Sequence, residues 1–424
     1  MFSPTVYSKI SARTLRIIIG IFIAGTIIGV GCSTVFRAGF DIKLRTDLTI
    51  YKAAGQAVLN GTNLYTVENE RTWFFTSPPI VAILCLPLTW VSVTWGALLI
   101  YALSIGMLAL IALLSLKLIP PERRHKSWKI IGWSFAICSI YFSDVLTRGQ
   151  FGILVLLCLI ITLYGWIKEK PALAGWALGF AVAIKVTPAA LLPIYFLYKK
   201  EYRIFLWTCV SACTFGILIP SFFFGLNGTL RYILEWVERV PLSVFPIPPN
   251  GDELYGDRFK FWRQIHDPFI FRNQSLYAVF VRLLRSSQDD MLARGVLLPR
   301  LIASATSFAM LIVSAFTLHK KQYETEEKAL AFSVPIILLL VASTLAWTHY
   351  FSCLYIAFFA VLTAKEISDS GVLKSSLFFA VLFMFLGYAF KPLGRCGFIL
   401  WSAVTLWAGI IWTLGKNQRS RKAA

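Results

Sequence analysis

The sequence predicts an all-α protein that crosses a lipid bilayer many times. Of its 424 residues, 57% are hydrophobic and only 15% are charged, whereas soluble domains average about 45–50% and about 25%. The apolar residues form long runs without the alternation of β-barrel strands. One span needs about 20 apolar residues, so the composition allows about twelve helices. An ordinary soluble enzyme and a disordered chain are therefore excluded.

The N-terminal elements follow from the residues that interrupt the apolar runs. The first predicted span, 17–36, follows three basic residues and has no small-residue cleavage site, so we expect it to be retained with the N-terminus in the cytoplasm. A polar stretch, 37–77, comes next and is the first of two longer outer loops. Pro79 and Pro87 break the apolar run behind it and predict a short interfacial helix over 78–91.

The later apolar runs predict further spans joined by short basic turns on the cytoplasmic side. These spans are 93–118, 128–143, 150–167, 171–186, 188–198, 204–224, 295–318, 329–347, 350–366, 374–390 and 396–414. The second outer loop is 225–290. Pro188 and Pro193 favour a broken pair of helices over 171–198. One long helix there would reduce the number of spans by one and reverse the orientation of every later span. We therefore expect about 10 to 13 spans. The chain is then one integral membrane domain, 1–424, of the plasma membrane.

The charge and the cysteines narrow the possible partners. The net charge of +20 fits basic cytoplasmic loops and attraction to anionic membrane lipids, and part of it can serve a phosphorylated substrate. No basic module stands apart from the spans, so we expect no nucleic acid partner. The eight cysteines form no CxxC pair and no Cys/His cluster. They are interpreted as buried apolar side chains, without disulfides or zinc.

Polar residues at membrane depth are costly and are candidates for function. In the predicted topology they gather on the outer side, whereas a transporter more often places them at mid-depth within internal repeats. This one-sided arrangement favours an enzyme that acts on a membrane-bound substrate. The outer group comprises Asp41, Asp47, Asp144, Arg148, Gln150, Lys185, Arg272, Asn273, Gln274, Ser275, Arg282, Trp347, His349, Lys391 and Arg395.

The outer group limits the chemistry. The sequence contains no GxxxxGKS, GxGxxG, HExxH or GxSxG motif. A carboxylate can take a proton from an attacking hydroxyl, and cations can stabilise the charge on a departing phosphate. The group therefore suits transfer from a phosphate-linked donor to a hydroxyl. A nucleotide-free donor needs no divalent metal, so we expect no cofactor; the Asp289-Asp290 pair is weak evidence for a metal.

A series of short motifs occurs between about residues 40 and 355 in an order seen in a known family. They are Asp47–Ala54, Thr76–Pro79, Arg148-Gly-Gln150 with Ala183-Ile-Lys185, Asn273–Leu276 with Arg282-Leu283, and Trp347-Thr-His349. In this order they resemble the motifs of glycosyltransferase family 87, whose members are mannosyltransferase-like membrane enzymes of the GT-C type. The resemblance implies a polyprenyl-phosphate sugar as donor and an active site on the non-cytoplasmic face.

By the same resemblance, Asp47 takes the place of the catalytic base, and His349 that of a residue contacting the donor phosphate. Asp41 precedes Asp47 closely and stays open as an alternative base. We further predict a set of residues that bind the donor phosphate or the substrates. This set is Lys185, Arg282, Asn273, Gln274, Gln150, Tyr51 and Lys391.

The function that follows is an inverting transfer of a mannose-like sugar from a polyprenyl-phosphate donor to a hydroxyl of a glycolipid or envelope glycan. A transporter or flippase for a polyprenyl-linked glycan is the alternative, with the basic outer face as a headgroup port. A pseudoenzyme scaffold in envelope assembly is a third possibility. Release of polyprenyl phosphate separates the enzyme from both.

Overall fold

The computed structural model describes residues 25, 27–39, 47–241, 264–284, 297–319, 323–364 and 370–423, and every regular element in these ranges is helical. We number the α-helices of the described ranges in chain order. They are α1 Ile27–Gly39, α2 Leu48–Asn60, α3 Pro79–Leu84, α4 Leu86–Thr89, α5 Val93–Leu118, α6 Ser127–Arg148, α7 Gly152–Ile167, α8 Pro171–Ile184, α9 Val186–Ala189, α10 Leu191–Tyr198, α11 Tyr202–Cys213, α12 Ile219–Arg239, α13 Leu276–Leu284, α14 Leu297–Leu318, α15 Thr325–Ala342, α16 Tyr355–Thr363, α17 Gly371–Ala389, α18 Lys391–Arg395 and α19 Phe398–Ala423.

Shorter helical segments connect several of these helices. They are the 3₁₀ turns Leu64–Thr66, Pro121–Lys126 and Thr348–Leu354, and the π segment Thr214–Leu218. The π segment joins α11 to α12 without a break. The predicted short helix over 78–91 is confirmed as α3 and α4, each with a proline in its first turn, where the missing N–H costs no hydrogen bond. Its place in the outer interface stays a prediction.

The chain is a multi-pass membrane protein. Six helical stretches of the described ranges are long and apolar enough to cross a membrane, and further apolar helices, including α7 and α8, are shorter. Large side chains on the long helices face outward: Phe222 is 80% exposed and Phe316 is 78% exposed. Such surfaces suit contact with lipid and not with water. The predicted total of about twelve spans stays a prediction.

The predicted break within 171–198 is confirmed by contacts at its two ends. Lys185 has an extended backbone between α8 and α9, and its ammonium lies beside Gln150 at the start of α7. At the other end of α7, the indole of Trp166 donates to Glu201, which follows α10, at 2.8 Å. The chain therefore reverses direction at Lys185, and α10 runs back along α7. This reversal places Lys185 at the end of the bundle where α7 begins.

Two glycines allow α8 and α11 to pack closely. A Cβ atom at Gly175 would lie 2.4 Å from the Cβ of Trp207, and one at Gly179 would lie 2.5 Å from the Cβ of Ser211. The Gly-x-x-x-Gly spacing of this pair predicts close helix packing in a membrane, and the structure confirms this prediction, since only a hydrogen fits at either position. A Cβ at Gly25 or Gly29 meets no atom within 4 Å among the described residues.

The two predicted outer loops hold more helix than expected. Within 37–77, α1 continues to Gly39 and α2 occupies Leu48–Asn60. The expectation that a loop starts at residue 225 is wrong, because α12 continues to Arg239. Gly225 adopts φ +68°, which a glycine allows, so the helix bends there and resumes. Residues 242–263 and 285–290 of the predicted second loop lie outside the described ranges.

The last turns of α12 pack on the segment that follows α2. The indole of Trp236 donates to the Thr76 carbonyl at 3.0 Å, and Arg239 donates to the Tyr65 carbonyl at 3.2 Å. Glu235 accepts from the Asn63 amide at 3.2 Å and pairs with Arg239 at 2.9 Å. These contacts hold the 61–78 segment over the end of the bundle where α7 begins.

Candidate active site

A carboxylate, an amide and an ammonium lie in line at this end of the bundle. The Gln150 amide nitrogen donates to Oδ2 of Asp47, and Lys185 Nζ donates to Oε1 of Gln150 at 3.2 Å. The direction of the amide follows from chemistry, because an ammonium can only donate and a carboxylate can only accept. Both ends of the Gln150 amide are therefore engaged, and the amide connects the Asp47 carboxylate to the Lys185 ammonium.

Local backbone features bring these three side chains together. Asp47 directly precedes α2, and its carbonyl accepts the Tyr51 N–H at 3.0 Å. Gly149 ends α6 with φ +64°, so the chain turns sharply and presents Gln150 before α7 begins. Lys185 lies at the break ahead of Pro188, where the helical hydrogen bonds stop.

Aromatic rings surround the lysine. Lys185 Nζ lies 3.9 Å from the centroid of the Tyr350 ring, and that ring lies 4.7 Å from the His349 imidazole. Tyr51 is buried and packs edge-on against Phe151 at 5.1 Å. A cation over an aromatic face within about 6 Å is attracted by the ring, more strongly when water is excluded. The rings therefore hold the ammonium in place beside the amide.

His349 keeps its hydrogen-bonding groups free. The residue is 4% exposed, and neither ring nitrogen has a hydrogen-bond partner in the described part of the chain. Most buried polar atoms have a partner, so two open nitrogens on one ring are unusual. They lie in the wall of a cavity, where a bound molecule can engage them.

Two neighbouring cavities meet at this cluster. The first, of about 100 Å³, is lined by Asp47, Arg148 and His349 together with Trp73 and Trp347. The second, of about 370 Å³, is lined by Lys185, Thr187, Trp236, Ser343 and Thr344 among others. Both cavities share the side chains that lie between the acid and the lysine. The shared residues are Tyr51, Thr76, Gln150, Val240, Leu345 and Tyr350.

The electrostatics of Asp47 suit a base. Burial raises the pKa of this carboxyl above its ordinary value, and the charge of Arg148, the Gln150 hydrogen bond and the charge of Lys185 oppose that rise. Desolvation disfavours the charged form, so a buried carboxylate holds a proton more readily than an exposed one. A general base with a raised pKa transfers protons closer to the working pH.

The structure keeps four other predicted residues away from the cavities. Asn273, Gln274, Arg282 and Lys391 line neither cavity. The Arg282 guanidinium donates to main-chain carbonyls of Pro268, at 2.5 Å, and of Asn273 and Arg395, both at 2.9 Å. Their predicted role in binding the donor stays a prediction.

Asn273 and Gln274 also bond to main chain. The Asn273 amide donates to Thr344 at 3.1 Å, and the Gln274 amide donates to Phe271 and, at 2.9 Å, to Gly394. Lys391 is exposed, with Nζ 6.0 Å from the Phe271 ring centroid. These contacts hold the segment before α13 against the segment that carries His349. Asp41 and the Asp289-Asp290 pair lie outside the described ranges.

The sequence reasoning missed several residues of the cavity walls. Tyr350, Trp73 and Trp236 all line a cavity, and none of them is among the predicted catalytic or binding residues. Tyr350 directly follows His349 in the last motif, which is the only signal that pointed to it. Among the described residues no three His, Cys, Asp or Glu side chains come together as metal ligands; independence from metal stays an expectation.

A helical membrane protein with a buried acid, a lysine and an unpaired histidine around two adjoining cavities has the parts of an integral-membrane enzyme of group transfer. The chain belongs to glycosyltransferase family 87, whose model matches residues 75–344. Gln150, Lys185 and the Asn273–Leu276 motif lie inside the matched range. His349 lies five residues beyond the end of this range, and Asp47 lies 28 residues before its start.

Three known proteins are similar to this chain. Two are named polyprenol-phosphate-mannose-dependent alpha-(1-2)-phosphatidylinositol mannoside mannosyltransferases. The one from Mycobacterium tuberculosis is 23% identical over 82% of this chain and 76% of its own length; the one from Mycolicibacterium smegmatis is 25% identical over 47% of this chain and 48% of its own length. The crystal structure of ArnT from Cupriavidus metallidurans bound to undecaprenyl phosphate aligns with a TM-score of 0.34 and 14% identity, over 96% of this chain and 78% of that one.

Proposed function

We propose that this enzyme transfers a mannose-like sugar from a polyprenyl-phosphate donor to a hydroxyl of a glycolipid or envelope glycan, with inversion. The observation that carries the proposal is the line of Asp47, Gln150 and Lys185 beside His349. It supplies an acid side chain for the acceptor and cationic or neutral donors for a phosphate. The names of the two mycobacterial relatives support mannose and a polyprenol-phosphate donor.

The reaction needs one bond to form and one to break. Asp47 takes the proton of the acceptor hydroxyl while the acceptor oxygen bonds to C1 of the sugar. The bond between C1 and the phosphate oxygen breaks, and the polyprenyl phosphate leaves with that electron pair. Lys185 and His349 stabilise the charge on the leaving phosphate. Attack opposite the leaving group inverts the configuration at C1.

The cavities open to the non-cytoplasmic side in this proposal. Support comes from the charges at the other end of the bundle. The connections there are short and basic, with Pro121–Lys126 before α6, Lys168 and Lys170 after α7, and Lys199–Arg203 after α10. Short basic loops favour the cytoplasm. The side of the membrane is tested by labelling Thr66→Cys in intact cells with a membrane-impermeant thiol reagent. Labelling that occurs only after lysis would place the cavities on the cytoplasmic side and contradict the proposal.

Transfer is tested with purified protein in liposomes, a polyprenyl-phosphate mannose and a glycolipid acceptor. We expect release of polyprenyl phosphate together with one glycosylated product, and loss of both in Asp47→Asn. The same assay after EDTA treatment tests the expected independence from divalent metal. Movement of the lipid across the bilayer without bond cleavage would support the flippase and contradict the proposal.

A further inference from the structure

One carboxylate beside the site joins three separate segments. Oδ1 of Asp144 accepts from Nε of Arg148 at 2.8 Å, and Oδ2 accepts from the Thr348 hydroxyl at 2.6 Å. Arg272 Nη1 lies 3.5 Å from Oδ1. The Asp144 side chain is only 14% exposed. A single acid thus connects α6 to the segment before α13 and to the turn that carries His349.

Arg148 is held along one edge only. Its Nε is engaged by Asp144, whereas its two Nη groups bond no residue of the described chain. The side chain lines the first cavity together with Asp47 and His349. A guanidinium offers a planar pair of donors that matches two oxygens of a phosphate. The contact at Nε therefore decides which edge of the guanidinium faces the cavity.

The same contact keeps Arg148 from pairing with the base. The charges of Arg148 and Asp47 attract each other, yet Asp47 makes no ion pair among the described residues and bonds to Gln150 instead. With a neutral residue at position 144, the guanidinium is no longer held and can move onto Asp47. An ion pair there would neutralise the base and withdraw a cation from the cavity.

Backbone hydrogen bonds next to His349 join the same two segments that the Asp144 side chain contacts. The Thr348 N–H donates to the Arg272 carbonyl at 2.9 Å, and Asn273 and Trp347 form an antiparallel bridge. Asp144 accepts from the side chains of both Thr348 and Arg272. The Asp144 carboxylate therefore holds these two segments together through their side chains, at the residue that directly precedes His349.

We propose that Asp144 is a positioning residue of the transfer reaction. It holds Arg148 by Nε so that the terminal edge of the guanidinium binds the donor phosphate, and it holds Thr348 so that His349 keeps its place. The proposal rests on the proposed function, since the phosphate belongs to that donor. Arg148 is then a catalytic residue that the sequence analysis left unassigned.

The charged and titratable groups that face this pair come from several elements. They are Asp47 before α2, Lys185 after α8, Arg272 before α13, His349 in the 3₁₀ turn and Tyr388 in α17. Of the cations in this group, Arg148 has a stronger electrostatic effect on the Asp47 carboxyl than Lys185, so Arg148 is the expected partner of Asp47 after a loss of charge at residue 144. This predicts a direction for the pH profile.

The test compares Asp144→Asn with the wild type in liposomes. The substitution keeps the shape and removes the charge. We expect kcat/KM for the polyprenyl-phosphate donor to fall about 10- to 100-fold, by analogy with the range seen when the hydrogen-bond partner of a metal ligand is lost. The acid limb of the pH profile should move to lower pH, because an Arg148–Asp47 pair lowers the pKa of the base.

Two further variants complete the design. Arg148→Lys keeps the charge but lacks the planar pair of guanidinium donors. We therefore expect kcat/KM to fall about 100-fold although Asp144 is intact. Glu235→Gln is the matched control, because Glu235 forms the same type of pair with the arginine four residues later, at 2.9 Å, and does not line either cavity. It should keep kcat/KM within about twofold.

The outcomes separate the two proposals. An unchanged kcat/KM in Asp144→Asn, or a loss with lower thermal stability and an unmoved acid limb, would overturn the positioning role. If Asp144→Asn does not fold, full activity of Arg148→Lys would overturn it. Wild-type protein that releases no polyprenyl phosphate would instead overturn the proposed function itself.

Discussion

Two polar regions of this molecule are buried or half-buried, yet their hydrogen bonds differ in kind. In the cavity cluster, formed by Asp47, Gln150, Lys185 and His349, the side chains bond to one another or to nothing, in the walls of two cavities. In the junction cluster, formed by Asn273, Gln274 and Arg282, each side chain donates to a main-chain carbonyl of another segment.

The difference teaches how to distinguish site from scaffold. A buried polar group is costly unless it has a partner, and a carbonyl of a distant segment is a permanent partner. Side chains of the junction cluster therefore stabilise the contact between segments. Side chains of the cavity cluster keep capacity for a ligand, since both ring nitrogens of His349 are open in the wall of a cavity. Gln274 Oε1 and Arg282 Nη2 also lack a partner among the described residues, but these two side chains line neither cavity. Both regions had the same appearance in the sequence.

Asp47→Asn should have the largest effect. The amide keeps the shape of the side chain but cannot accept the acceptor's proton, and loss of a general base costs about 10²–10⁴-fold. We expect a fall in kcat of about 1000-fold with normal expression. Asp47→Asn activity near that of wild type would break the comparison, because the cavity cluster would then be structural too. The matched variant in the junction cluster is Gln274→Glu, and its kcat is compared with that of Asp47→Asn.

Lys185→Met should come second. The variant keeps the length of the side chain and removes the cation that lies on the Tyr350 ring and against Gln150. Removing one stabilising donor of a transition-state charge costs about 10²–10³-fold. We expect about 100-fold in kcat, measured as release of polyprenyl phosphate. Tyr350→Phe keeps the ring face and should retain activity within a few-fold.

The pH profile should show the third effect. Asp47 is active when deprotonated, so activity falls as the pH drops through its pKa. Since burial raises that pKa, the midpoint of the acid limb of kcat/KM should lie above the ordinary value of about 3.9. Gln150→Glu places a second carboxylate beside the first and should move the midpoint higher still. A midpoint at or below the ordinary value would contradict the assignment of Asp47.

Arg282→Gln should have the smallest effect on catalysis. The change removes charged donors from the carbonyls of Pro268, Asn273 and Arg395. We expect unfolding to become easier by about 2 kcal/mol, the scale of a hydrogen bond to a charged group. The kcat of folded protein should stay within about threefold. A stable variant with a strongly raised KM for the donor would instead support the predicted donor-binding role.

Much of the fold could be predicted from local patterns. Long apolar runs predicted a helical membrane protein, prolines predicted the short helices at 78–91, and Pro188 predicted the break that presents Lys185. Glycine spacing predicted the close contact of α8 with α11. Each is a property of a few neighbouring residues. The extent of α12 was missed, because the predicted span stopped at residue 224, whereas the helix only bends at Gly225 and continues to Arg239.

The sequence by itself determined the class of protein, the family and five of the residues now found at the cavities, which are Asp47, Tyr51, Gln150, Lys185 and His349. Those follow from apolar content and from motif order, which are written along the chain. Only the tertiary structure decided which polar residues share a cavity. Asp47, Gln150 and Lys185 meet because α7, α8 and the start of α2 converge at one end of the bundle. Partners so distant in the chain have no local signature, and side-chain hydrogen bonds depend on where packed helices end.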